Sequence, residues 1–329
     1  MEVQRTHSGR PPSAVESVRA LCFDRLRARG SAADVRAGRD LCHRSICVSG
    51  GGRAVPSVSV LMAVCASDSP AWLDEALRSL HGQNRLPDEV IVVEDGELSM
   101  SMDQTLSRYR QRLPLRRVPI RNRTGLGNAL AMGMTAARGE LVARMDADDA
   151  CEPERLEVQA RCFEDDPDLV VLGSAATLVD ERGARVGERR MPITPDEIRA
   201  RVWTCPFIHP TVMFRREAIL KVGNYDAGLP TRQDYDLWFR CVAAGLTMRN
   251  LTQPLLRYRL KARPKHRRLS VVWRQTVIGW RGCRRTRAQP MIWVGVAAPL
   301  ALYFLPMALA ETVRNRYRFG TLRSRADGI

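Results

Sequence analysis

Short apolar runs alternate with helix-spaced apolar positions from residue 57 to residue 144. Val58-Ser59-Val60-Leu61-Met62-Ala63-Val64 is a near-continuous apolar run, the pattern of a strand buried on both faces of a parallel sheet. Ser69 followed by Pro70 marks a helix start, and Trp72, Leu73, Ala76, Leu77 and Leu80 share one face of the helix that follows. Glu89-Val90-Ile91-Val92-Val93 predicts a second strand that stops at the loop signal Glu94-Asp95-Gly96. A helix is expected over 102–113 and a strand over 115–120. Gly125-Leu126-Gly127 opens a helix that runs to Arg138 and ends at Gly139. The strand 140–145 then runs into Asp146-Ala147-Asp148-Asp149. This βαβαβαβ order predicts an α/β fold: a doubly wound, mostly parallel sheet with helices on both faces.

Beyond residue 150 the pattern loosens. A helix follows Pro153, and short strands are expected at 170–172, 176–180, 185–189 and 211–214. A short helix over 216–222 and a longer one over 234–244 complete the segment.

Charge divides the chain into three parts. The net charge of +16 separates into +5 for residues 1–56, −4 for 57–256 and +15 for 257–329. A protein that wraps nucleic acid carries its basic patch on its folded domain, and here that domain is mildly acidic. No RRM-like, KH-like or zinc-finger pattern accompanies the charge, so no nucleic-acid partner is expected. Residues 1–56 read as a disordered leader with a short helix near 14–29, residues 57–256 as an α/β domain and 257–329 as a basic tail. The leader lacks the unbroken apolar core of a signal peptide. Nine cysteines, an odd count with no CxxC, suggest reduced thiols in the cytosol rather than a disulfide or zinc framework. Within the tail, Met291–Ala310 is 20 residues without a charge, interrupted by Pro299 and Pro306. Arginines flank it on both sides, so a single span would oppose the positive-inside rule. An interfacial or re-entrant element on an anionic membrane surface fits better, with Trp273, Trp280 and Trp293 at headgroup level.

Open α/β sheets bind ligands at the carboxyl ends of their strands. Two acidic groups fall there: Glu94-Asp95 and Asp146-Ala147-Asp148-Asp149. Paired carboxylates in a strand-end turn suit Mn²⁺ or Mg²⁺, with phosphate oxygens completing the shell. The same residues also suit turn and helix-cap roles, Asp148 or Asp149 capping the helix after Pro153.

From Val58 to Arg259 the chain resembles the family 2 glycosyltransferases of the GT-A fold, of the bacterial capsule and exopolysaccharide type. The resemblance rests on ordered blocks: Val58–Met62, Trp72–Leu80, Pro87–Val90, Glu94–Gly96, Gly125–Leu130, Ala143–Asp149, Pro153–Leu156, His209–Arg215 and Asp234–Trp238. It implies an inverting hexosyltransferase that moves a sugar from a nucleotide-sugar donor to a lipid-linked saccharide acceptor, at the cytoplasmic face of the bacterial inner membrane. By the same resemblance Asp95 contacts the donor near its base, and Asp146 and Asp148 form the DxD element that holds metal and diphosphate. Arg144 lies near the donor phosphates or ribose. His209, before Pro210 in an apolar stretch, reads either as a contact to the diphosphate or the acceptor or as a satisfied structural histidine. Asp234 is the general base.

Four positions depart from the family pattern. Gln233 stands where Glu is usual, leaving Asp234 as the one carboxylate of its dipeptide and keeping open an inactive GT-A scaffold. Ala63 and Cys65-Ala66 replace a frequent Pro and Tyr-Asn, and Cys65 reads as a small buried thiol. A sugar-1-phosphate nucleotidyltransferase is disfavoured, because Ala66-Ser67-Asp68-Ser69-Pro70 supplies no Gly-rich basic loop.

Overall fold

The computed structural model describes residues 55–261 and 269–304. The leader, its expected helix, the link 262–268 and the end of the tail, including Pro306, lie outside the described residues. The elements in chain order are β1 (Val58–Val64), α1 (Pro70–His81), β2 (Glu89–Asp95), α2 (Met100–Tyr109), β3 (Leu115–Ile120), α3 (Leu126–Ala136), β4 (Leu141–Arg144), β5 (Ala150–Cys151) and α4 (Arg155–Asp165). They continue as β6 (Leu169–Val179), β7 (Arg185–Arg189), α5 (Pro195–Ala200), β8 (Met213–Arg215), α6 (Arg216–Lys221), α7 (Gln233–Ala243), β9 (Thr247–Arg259), α8 (Leu269–Thr286) and α9 (Pro290–Tyr303).

One mixed sheet runs β3-β2-β1-β4-β8-β6-β9-β5, with β7 beside β6. The pairs from β3 to β4 are parallel, whereas β8 runs antiparallel to both of its neighbours. Beyond it only β6 and β9 pair in parallel. The parallel character is thus confined largely to the first half of the chain. There β1, β2 and β3 step outward in one direction, and β4 returns to the other side of β1. This reversal opens a crevice at the carboxyl ends of β1 and β4.

Side-chain alternation along the strands builds two apolar layers. Val58, Val60, Met62 and Val64 pack with Leu73 and Leu77 of α1, Leu106 of α2 and Phe163 of α4. Leu61 faces the opposite layer with Leu130 of α3, Trp238 and Phe239 of α7, and Ile278 and Cys283 of α8.

Several local expectations change. Ser69 occupies the N-cap position of α1 but its side chain makes no cap bond. Neither Asp148 nor Asp149 caps α4, whose N-cap is Glu154. The two short strands expected at 170–172 and 176–180 are one strand of 11 residues, β6. Residues 209–211 form a 3₁₀ turn, so β8 begins only at Met213. The 13-residue β9 has no counterpart in the sequence reading. Its polar positions and Pro254 hide it, and Pro254 is tolerated because it lies at a register irregularity opposite Ala175. This strand also runs through the boundary expected at residue 256. The tail helices continue on the same body: a Cβ on Gly282 of α8 would strike the Phe239 ring, and one on Gly279 would strike Val296 of α9.

Candidate active site

The crevice holds two clefts. The first, of about 510 Å³, is lined by residues at the ends of β1, β2 and β4, including Cys65, Asp95, Asp146 and Asp148, together with Gly125 and Lys261. The second, of about 660 Å³, is lined by Arg144, Asp146, Cys205, His209, Asp234 and Tyr235, and by Gly295, Val296 and Pro299 of α9. Leu126, Asp146 and Pro230 belong to both.

Asp95, the last residue of β2, is buried. Its Oδ1 accepts from Thr124 N at 2.6 Å and Thr124 Oγ1 at 3.0 Å, and its Oδ2 from Gly125 N at 2.9 Å. These bonds pin the turn that starts α3. Gly125 has φ +96°, a region that favours glycine. A Cβ on Gly127 would collide with the carbonyl oxygens of Leu229 and Asp226. Glycine therefore lets α3 close against the loop that leads to α7. Cys65, expected as a buried thiol, is half-buried at the wall of the first cleft.

The loop after β4 carries the acidic cluster. One carboxylate oxygen from each of Asp146, Asp148 and Asp149 can be chosen so that all lie within 4.8 Å of one another. Asp146 pairs with the Arg144 guanidinium. Arg144 is itself buried, and its Nε and Nη1 have no hydrogen-bond partner. Asp148 Oδ2 meets Lys261 Nζ at 2.7 Å. Asp149 Oδ1 accepts from Arg259 N at 2.8 Å, while its buried Oδ2 has no partner. Burial, and then the neighbouring Asp146 charge, push the Asp148 carboxyl above the usual carboxylate range. Burial together with Asp146 and Asp148 pushes Asp149 well above it. Close carboxylates with an unpartnered buried oxygen are the donor set of a hard divalent cation, which would relieve their mutual repulsion. Asp146 and Asp148 are open to the first cleft and would hold it.

Asp234 sits in the first turn of α7, on the second cleft. Its Oδ2 accepts from the Cys205 thiol at 3.4 Å. Arg232, just before the helix, and Cys205 both take left-handed backbone, with φ 67° and 61°. Asp236 turns away: its Oδ2 accepts from Arg240 at 2.7 Å and its Oδ1 from Arg285 of α8 at 3.4 Å. His209 lies on the second cleft, apart from Asp95 and Asp148, and shares a 2.8 Å hydrogen bond with Tyr225 Oη. Burial, and then the Arg144 charge, hold the imidazole pKa well below its ordinary value, so it is neutral at pH 7.

A model of the family described as glycosyl transferase family 2 matches residues 59–223. The chain belongs to this family. It is a nucleotide-sugar-dependent glycosyltransferase, and the expected α/β GT-A-like fold holds, with the sheet mixed as described. The amylovoran biosynthesis glycosyltransferase AmsE of Erwinia amylovora is 36% identical over 203 residues, covering 61% of this chain and 75% of that protein. The UDP-Gal:alpha-D-GlcNAc-diphosphoundecaprenol beta-1,3-galactosyltransferase of Escherichia coli is 30% identical over 217 residues, covering 65% of this chain and 78% of that protein. Among solved structures, S. aureus TarS 1–349 in complex with UDP-GlcNAc superposes with a TM-score of 0.58 at 18% identity, over 75% of this chain and 71% of that one. At that identity the likeness establishes the fold.

The sequence reading missed Arg259 and Lys261, because they stand at the end of the strand it did not predict. Arg259 is buried and donates from Nε to Asp148 O at 2.9 Å and from Nη1 to Asp180 O at 3.1 Å, and its Nη2 pairs with Glu75. It ties the acidic loop to the far edge of the sheet. Cys205 was likewise missed, since nothing local in its sequence points to Asp234.

Proposed function

We propose that this glycosyltransferase inverts the anomeric centre while moving a hexose from a nucleotide-sugar donor to a lipid-linked saccharide in surface polysaccharide synthesis. The observation that carries the reading is the position of Asp146 in both clefts, with Asp95 and Asp148 on one side and Asp234 on the other. The donor lies in the first cleft, its base near Asp95 and its diphosphate at Asp146 and Asp148. Asp146 and Asp148 would hold Mn²⁺ or Mg²⁺, which would supply charge neutralisation for the leaving diphosphate. The Arg144 guanidinium pairs with Asp146 and lines the second cleft, close to the diphosphate so placed. His209, neutral and held by Tyr225, lines the acceptor path. Asp234 accepts the proton of the acceptor hydroxyl as that oxygen attacks the anomeric carbon from the face opposite the diphosphate.

The tail helices support a membrane address at the cytoplasmic face. Trp273 and Trp280 of α8 are exposed and meet edge to face at 6.4 Å, Met291, Val294 and Tyr303 of α9 and the following Phe304 are exposed, and the exposed Arg281, Arg284, Arg285 and Arg287 lie between the two groups in sequence. The same α9 walls the second cleft, so a lipid-borne acceptor would reach Asp234 along the apolar side of the molecule. No helix among the described residues is long and apolar enough to cross a membrane. The name of the Escherichia coli relative, with its diphosphoundecaprenol acceptor, agrees with such a substrate.

The test is turnover of a nucleotide-sugar panel on a polyprenyl-diphosphate sugar acceptor with Mn²⁺, with the product anomer read by NMR. Asp148→Ala and Asp234→Asn are each expected to lower kcat by roughly 10²–10⁴-fold. Wild-type rates in both variants, or retention of configuration, would sink the mechanism.

A further inference from the structure

Strand β9 delivers a second cation to the donor cleft. Lys261 lies two residues beyond Arg259, whose backbone and side-chain bonds fix the strand end to Asp148 and Asp149. From there the Lys261 ammonium reaches Asp148 Oδ2 at 2.7 Å and rests 5.3 Å from the centre of the Trp72 ring. It lines the same cleft as Asp68, Asp95 and Asp146. A surface ion pair would need none of these constraints, and the carboxylate it engages is one of the two that would hold the metal.

Resting on the glycosyltransfer reading, we infer that Lys261 competes with the divalent cation for Asp148 and, once displaced by it, binds an oxygen of the donor diphosphate. A metal held by Asp146 and Asp148 brings a second positive charge to the carboxylate that Lys261 engages, and the repulsion between the two cations favours release of the ammonium. Lysine suits the exchange: a compact charge on a flexible stem can leave one anion for another while its backbone stays fixed by Arg259. In that cleft Asp68 and Asp146 are its other carboxylate neighbours, and with Asp146 engaged by the metal the donor diphosphate is the anion that arrives with substrate. The site would thereby couple metal occupancy to the arrival of positive charge at the leaving group.

Mn²⁺ titration by EPR and UDP titration by calorimetry, on the full chain with Lys261→Ala and Lys261→Arg, test this. Lys261→Ala is expected to bind Mn²⁺ several-fold more tightly without nucleotide, and to bind UDP about tenfold more weakly at saturating Mn²⁺. Lys261→Arg, which keeps the charge, is expected to hold UDP affinity within about threefold of the wild type. Unchanged or weaker Mn²⁺ binding by Lys261→Ala overturns the competition. Unchanged UDP binding by that variant overturns the diphosphate contact. The Mn²⁺ arm needs no nucleotide and stands by itself; a wild type that binds neither UDP nor the other nucleoside diphosphates of the donor panel overturns the placing of the donor in this cleft and the diphosphate contact together.

Discussion

Asp95→Asn separates what the Asp95 carboxylate does from what its shape does. The native carboxylate accepts three hydrogen bonds, two on Oδ1 and one on Oδ2, from the turn at Thr124 and Gly125. Asparagine has one acceptor oxygen. Placed at Oδ1, it keeps the Thr124 bonds and sets its NH₂ against the Gly125 N–H. The reverse orientation sets its NH₂ against the Thr124 N–H and loses that bond, while the Thr124 hydroxyl can turn to accept. Either way at least one charge-assisted bond is lost, worth about 1.5–3 kcal/mol, and a donor is left facing a donor. For a domain of this size each kcal/mol lowers Tm by roughly 2–4 °C, so a fall of about 4–10 °C is expected in a calorimetric melt. The turn also forms one wall of the first cleft, where we propose that the donor binds, so on that proposal nucleotide affinity should fall together with Tm. A variant that melts within 1 °C of the wild type (roughly 0.5 kcal/mol on the same scale) would show that these bonds do not hold the turn.

Three further outcomes follow from the packing and electrostatics. His209 is neutral in the native state, with its pKa below that of the unfolded chain. The unfolded state therefore binds the extra proton, so this contribution is complete above about pH 6.5 and is lost as pH falls, by at most about 1.4 kcal/mol per pH unit. The fall in Tm from pH 7.5 to 5.5 should accordingly be smaller in His209→Gln than in the wild type, and equal slopes would contradict the assignment. Gly282→Leu drives a side chain into the buried Phe239 ring, an overpacking of about 1–3 kcal/mol that should lower Tm by roughly 2–10 °C; no change would mean that α8 does not dock on α7. Replacing both Trp273 and Trp280 by Ser should weaken binding to anionic vesicles about tenfold while leaving the melt unchanged, and unaltered vesicle binding would remove these rings from the membrane face.

The legibility of the chain follows the range of the interactions. The strands β1 to β3 and the helices between them were readable, because apolar alternation and helical spacing are properties of contiguous residues. The carboxylates Asp95, Asp146 and Asp148 could be placed at a binding edge for the same reason, since each stands where an apolar run stops. Asp236 turns away from Asp234 as local helix geometry requires, because residues two apart on a helix point in different directions.

Other features became visible only when distant segments met. β9 lacks an apolar signature because its partners, β6 and β5, satisfy its backbone whatever its side chains are. Through it Arg259 reaches Asp148 across 111 residues of sequence. Cys205 meets Asp234, and Arg285 meets Asp236, only after α7 has been buried between the sheet and α8. Local pattern determines which groups stand at the ends of strands. Chain crossing and burial decide which of those groups share a cleft, because free energy depends on distances in space that no spacing along the chain encodes.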